Sequence, residues 1–146
     1  MARKFSPKDK EYDLFTILEL KLIDIIMNPE RSNKDMEFFK SKVISEQIDH
    51  DALYRIAIKY EQFQFADLII QSGKFDINKE SYFEIIGYIL WGNDSRILRF
   101  IQDGYCPNRT DLEHIFDIYT KANDIEHDMQ VYNHFANLYK SMNNGP

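Results

Sequence analysis

The chain has 146 residues, a single-domain length at which folding buries roughly 70% of the surface of the unfolded chain, so two independent domains are not expected. With 44% hydrophobic residues, including 11 Phe and 9 Tyr, it carries enough apolar mass to offset ordering entropy, which excludes disorder over most of its length. A net charge of −6 leaves no basic face for nucleic acid, and the single Cys106 excludes an intrachain disulfide and suits a reducing, cytoplasmic setting.

Along the chain, Arg3, Lys4, Lys8 and Lys10 are not followed by an uninterrupted apolar run. Glu19, Lys21 and Asp24 cut the stretch from Leu14 to Met27, so neither a secretory leader nor a membrane span is expected. Leu14, Ile17, Leu18, Leu22, Ile25 and Ile26 keep helical spacing, which predicts a first helix over 7–27. Ser6 would be its N-cap, Pro7 its first residue, and Asn28-Pro29 its end. Met36, Phe39, Val43 and Ile44 predict a second helix over 34–47.

From residue 51 the punctuation becomes regular. Asn78, Asn93, Asn108 and Asn123 fall 15 apart, and Gly73 and Gly104 lie 31 apart. Ser81-Tyr82-Phe83-Glu84 and Thr110-Asp111-Leu112-Glu113 read as capping boxes starting 29 residues apart. Ile85, Ile86, Tyr88 and Ile89 recur 30 residues later as Ile115, Phe116, Ile118 and Tyr119, and Gly92-Asn93-Asp94 and Ala122-Asn123-Asp124 break both helices in register. In a first unit, Leu53, Ile56 and Ala57 supply the equivalent face, Asp51 is the expected N-cap, and 65–70 forms the second helix. Gly73 and Gly104 suit the left-handed position past a helix end.

Helical hairpins at a period near 30 are the signature of a stacked solenoid. The run Asp67-Leu68-Ile69-Ile70-Gln71-Ser72-Gly73-Lys74-Phe75-Asp76-Ile77-Asn78 resembles an ankyrin second helix with its terminal glycine and hydrophobic-Asn connection, and 92–108 repeats that layout. The Thr-Pro-Leu-His opening of the ankyrin family is absent, the first unit carries an extra residue near Phe63, and the third lacks a terminal glycine. The expected architecture is all-α: an N-terminal helical pair over 7–47, three degenerate ankyrin-like repeats over 51–139, and a tail over 140–146. The resemblance implies a non-enzymatic, protein-binding role.

Little in the residues points to catalysis. Cys106 lies in a Gly-Tyr-Cys-Pro turn without a paired base, and the five glycines never cluster into a phosphate loop. His114, His127 and His134 among Asp111, Glu113, Asp117, Glu126 and Asp128 are metal-ligand residue types, and the pairs His50-Asp51 and His127-Asp128 occur in metal-dependent phosphohydrolases. Two histidines seven apart on one helix lie about 10 Å apart along its axis, too far for one metal. A metal-dependent hydrolase using this cluster is the alternative to a binding protein, and a subunit of a larger assembly is a third reading. No cofactor or metal is expected.

Residues 111–130 hold six acids against Lys121, so the third unit should present an acidic face able either to solubilise the chain or to steer a basic partner. Tyr82, Tyr105 and Trp91 flank the turns where solenoids meet partners, although Trp91 could equally cover the end of the core. The expected partner-binding set is Tyr82, Tyr105, Asp111, Glu113 and Asp117. Its partner would be a protein with a basic surface, and a small acidic inhibitor or immunity-type protein is the sharper form of the same expectation.

Overall fold

The computed structural model describes residues 15–143, and all regular structure among them is helical, with no strand. In chain order the helices are α1 (Ile17–Met27), α2 (Asn33–Ser45), α3 (His50–Lys59), α4 (Phe63–Gln71), α5 (Ile77–Glu80), α6 (Tyr82–Leu90), α7 (Ile97–Gln102), α8 (Arg109–Lys121) and α9 (Met129–Asn143). A 3-10 turn at Asp94–Arg96 runs into α7. The chain divides between Phe75 and Asp76 into two compact units.

In the first unit, α1 packs on α2 and α3, and α4 packs on α3 and α2. Leu22, Ile26, Phe39, Val43, Leu53, Tyr54, Phe65 and Ile69 are fully buried, and the Phe39 and Phe65 rings meet edge to face at 4.7 Å. The start of α1 corrects the expectation of one helix over 7–27. Thr16 is extended, and its hydroxyl accepts from Glu19 N–H (3.1 Å) while Glu19 accepts from Thr16 N–H (2.8 Å), a capping box that begins the helix at Ile17. The proposed Ser6 and Pro7 start lies outside the described residues.

Glu19 is buried because its second oxygen accepts from Asp49 N–H at 2.6 Å, and Asp49, not Asp51, caps α3 by accepting from Ala52 N–H at 3.0 Å. Asp51 sits in the first turn, two residues after the cap, and pairs with Arg55. At the other end of α1, Arg31 donates to the Ile25 and Ile26 carbonyls (3.1 and 2.8 Å) and to Gln62 (3.0 Å), filling acceptors that a helix end leaves open.

The second unit packs α6 on α8 and α8 on α9, with α5 and the 3-10 turn against α6. Ile85, Ile89, Ile97, Phe100, Leu112, Ile115, Val131 and Phe135 form its core. Both capping boxes expected here are absent. Ser81 follows α5 directly in a right-handed helical conformation, which turns its hydroxyl away from the amides of α6, and that hydroxyl is buried without a partner. Helix α8 starts one residue ahead of Thr110 because Asn108 is extended and accepts from Asp111 N–H at 2.8 Å.

Helix ends recur at a fixed step. Glu61 and Gly92, 31 apart, occupy the left-handed position after α3 and α6, and Gly73 and Gly104, also 31 apart, do so after α4 and α7. Behind Glu61, Gly92 and Gly104 the next amide reaches back to the third-last carbonyl of the helix: Gln62 to Ala57, Asn93 to Tyr88 and Tyr105 to Phe100, at 2.8–2.9 Å. After Gly73 the Ser72 hydroxyl substitutes, donating to Ile69 O and accepting from Lys74 N–H.

Several side-chain hydrogen bonds keep a similar step. Glu19 with Asp49, Arg31 with Gln62, Asn78 with Gly104 and Cys106, Asp94 with Tyr119 and Asp128, and Glu113 with Tyr139 join positions 25 to 34 apart. The Asn78 amide is bound on both sides, accepting from Cys106 N–H at 2.6 Å and donating to Gly104 O at 3.4 Å.

Candidate protein-binding surface

Of the five residues singled out in the sequence, α8 carries three. Asp117 is exposed and pairs with Lys121 at 2.9 Å, and Glu113 is exposed and accepts from the Tyr139 hydroxyl at 3.2 Å. Asp111 is half-buried in the first turn of α8. Beside it, at the start of α6, Tyr82 is half-buried, its ring 6.4 Å from His114 and its hydroxyl pKa raised by desolvation and by the Asp111 charge. Tyr82 and Asp111 thus lie together where α6 meets α8, whereas Glu113 reaches towards α9 and Asp117 pairs along α8 itself.

Tyr105 does not join them. It is only 3% exposed, its ring packs edge to face on Phe135, and its hydroxyl is buried without a hydrogen-bond partner. Burial, with a smaller push from Asp111, raises its pKa. The glycine beside it is responsible: the left-handed turn at Gly104 brings Tyr105 N–H back to Phe100 and swings the side chain inward. Tyr105 is therefore a core residue, and Tyr105→Ala would open a cavity rather than trim an interface.

Trp91 and Phe83 are the exposed aromatics. Trp91 is 81% exposed, which removes the alternative that it covers the end of the core, and Phe83 is 83% exposed. Phe83, Gly87 and Leu90 follow one another at four- and three-residue steps along α6, and Trp91 caps its end, so the outward side of this helix is apolar while Ile85 and Ile89 fill the core. That spacing was visible in the sequence. It was hidden because α6 is apolar on nearly every side, Glu84 excepted, and only packing decides which side of such a helix is buried.

His127, Asp128 and the buried Asp94 are tied into the fold at the C-terminal end. His127 precedes α9 rather than lying on it, so His127 and His134 do not share a helical face. His127 Nε2 is 2.7 Å from Ala122 O, and its Nδ1 is 3.6 Å from Asp94, beyond hydrogen-bond length. Asp94, 2% exposed, accepts from the Tyr119 hydroxyl (3.1 Å) and from Asp128 N–H (3.1 and 3.0 Å to its two oxygens). Burial, then Asp94, raises the Tyr119 pKa. Among the described residues, no three His, Cys, Asp or Glu side chains come together in a way that could hold a metal ion. No helix among them is long and apolar enough to cross a membrane.

Comparison of the chain with protein-family models, with curated proteins and with solved structures finds no match.

Proposed function

We propose that this chain is a non-enzymatic protein-binding module built from degenerate ankyrin-like helical repeats, whose contact surface is the outward side of α6 and α8. The observation that carries the reading is the exposure of Phe83 and Trp91 on one helix, more than four-fifths each, because large aromatics are costly to leave in water and are favoured anchors of interfaces. Charge supports it. Residues 76–146 hold 11 Asp and Glu against 6 Lys and Arg, a net of −5, whereas 1–75 hold 13 against 12. Such a field steers a basic partner and raises its association rate more than its affinity. An acidic inhibitor that covers a basic active site is the sharper form of this reading.

The repeat assignment is supported by the 31-residue spacing of the left-handed helix ends and by the 25–34-residue span of the hydrogen bonds between elements. The test is quantitative affinity purification from native cells with wild-type bait and a Phe83→Ala/Trp91→Ala double variant. A stoichiometric partner held by the wild type and lost by the variant, with unchanged far-ultraviolet circular dichroism, is expected. Identical recoveries on both baits would remove α6 from the interface.

A further inference from the structure

Gly87 lies in the middle of α6, where a glycine destabilises a helix relative to alanine. The other glycines among the described residues answer a conformational need: Gly73, Gly92 and Gly104 all have positive φ. Gly87 is helical, and a Cβ built there would meet nothing within 4 Å. Neither its backbone nor the packing of its own unit calls for a missing side chain. Its neighbours on the outward side are Phe83 one turn before and Leu90 and Trp91 one turn after, all exposed. The result is a notch between two aromatic ridges, spanning about 12 Å of helix by the rise per residue.

One repeat further on, the corresponding row of α8 is charged. Adding 30 to Phe83, Gly87 and Trp91 gives Glu113, Asp117 and Lys121, and α8 packs against α6, with His114 beside Tyr82. The apolar notch thus lies on a helix whose neighbour α8 carries two exposed acids, Glu113 bound to the Tyr139 hydroxyl and Asp117 paired with Lys121, in a unit of net charge −5. A second copy of the chain would bring the same sign of charge to this face, and an anionic lipid surface would be repelled by it.

We infer that the notch at Gly87 receives an amphipathic helix from a basic partner. Its apolar residues sit between Phe83 and Trp91, and its lysines or arginines lie along Glu113 and Asp117. Packing one helix across another requires close approach at the crossing point, which a residue without a side chain permits. This inference rests on the protein-binding reading and specifies the chemistry of the partner.

Trp91 is the sole tryptophan, so its fluorescence reports occupancy of the notch directly. The probe is a synthetic helical peptide with Leu at alternating three- and four-residue steps and Lys elsewhere, with a matched peptide carrying Glu in place of Lys. The Lys peptide should move Trp91 emission to shorter wavelength, with affinity falling as salt rises, and the Glu peptide should not. Gly87→Ala should raise the thermal midpoint of the free protein yet weaken binding, and Gly87→Leu should weaken it about tenfold or more, a loss of hot-spot size. Asp117→Lys should weaken binding of the Lys peptide while leaving the helical content unchanged.

Equal responses to the two peptides, no emission change with either, or tighter binding by Gly87→Leu would overturn the inference. So would an emission shift with neutral or anionic phospholipid vesicles but not with the Lys peptide. If cells still lose their partner with Phe83→Ala/Trp91→Ala while the Lys peptide leaves Trp91 unmoved, the binding role stands and the basic-helix assignment fails.

Discussion

Replacing Asp94 by alanine should be among the most damaging single changes in the second unit. Its carboxylate is the shared acceptor for the buried Tyr119 hydroxyl and for Asp128 N–H, the amide just before α9. Asp94→Ala leaves both donors without it, and each desolvated donor without an acceptor costs about 1–3 kcal/mol, which gives roughly 2–6 kcal/mol for the pair. Against a typical total of about 5–15 kcal/mol, this is a large fraction. Because the damage lies in the stranded donors, Tyr119→Phe in the Asp94→Ala background should restore about 1–2 kcal/mol, although Tyr119→Phe alone is destabilising. Guanidinium denaturation followed by circular dichroism measures the cycle, and hydrogen exchange at Asp128 and through α9 locates the loss. An Asp94→Ala loss below about 1 kcal/mol, or strictly additive effects of the two changes, would refute the account of this hub.

Three further outcomes are expected. Above pH 10 stability should fall, because unfolded tyrosine titrates near 10 while burial keeps Tyr105 and Tyr119 protonated beyond it. The unfolded state then binds fewer protons, and each such group removes about 1.4 kcal/mol per pH unit; Tyr105→Phe, which deletes an unpartnered hydroxyl, should flatten this decline in alkaline denaturation curves. Gly104→Val should lose about 1–3 kcal/mol, and Gly104→Ala nearly as much, since φ is +107° and the space around a Cβ is open, so the backbone and not size sets the penalty; an unchanged thermal midpoint would contradict this. Thr16→Ala should cost about 1 kcal/mol by removing the hydroxyl that accepts from Glu19 N–H, measurable by urea denaturation.

Helical spacing, proline and glycine determined where most helices of this chain lie, because these signals act over one or two turns and need no distant partner. Asn28-Pro29 ends α1, and Gly73, Gly92 and Gly104 take the left-handed turns, whereas of the matched apolar slots Ile85, Ile89, Ile115 and Tyr119 are buried and Ile86, Tyr88, Phe116 and Ile118 only half-buried. What the local pattern could not decide was the choice between neighbouring cap candidates. Asp49 and Asn108 took the roles expected of Asp51 and Thr110, since a cap works only from outside the helical conformation, and Ser81, itself helical, failed on that ground. Tertiary structure alone exchanged the two aromatics: Tyr105 turned into the core behind Gly104, and Trp91 turned out to solvent beyond the end of α6. An aromatic beside a turn carries equal apolar area whichever way it faces, so composition cannot assign it. The path of the backbone through the turn, set by the packing of the helices on either side, does.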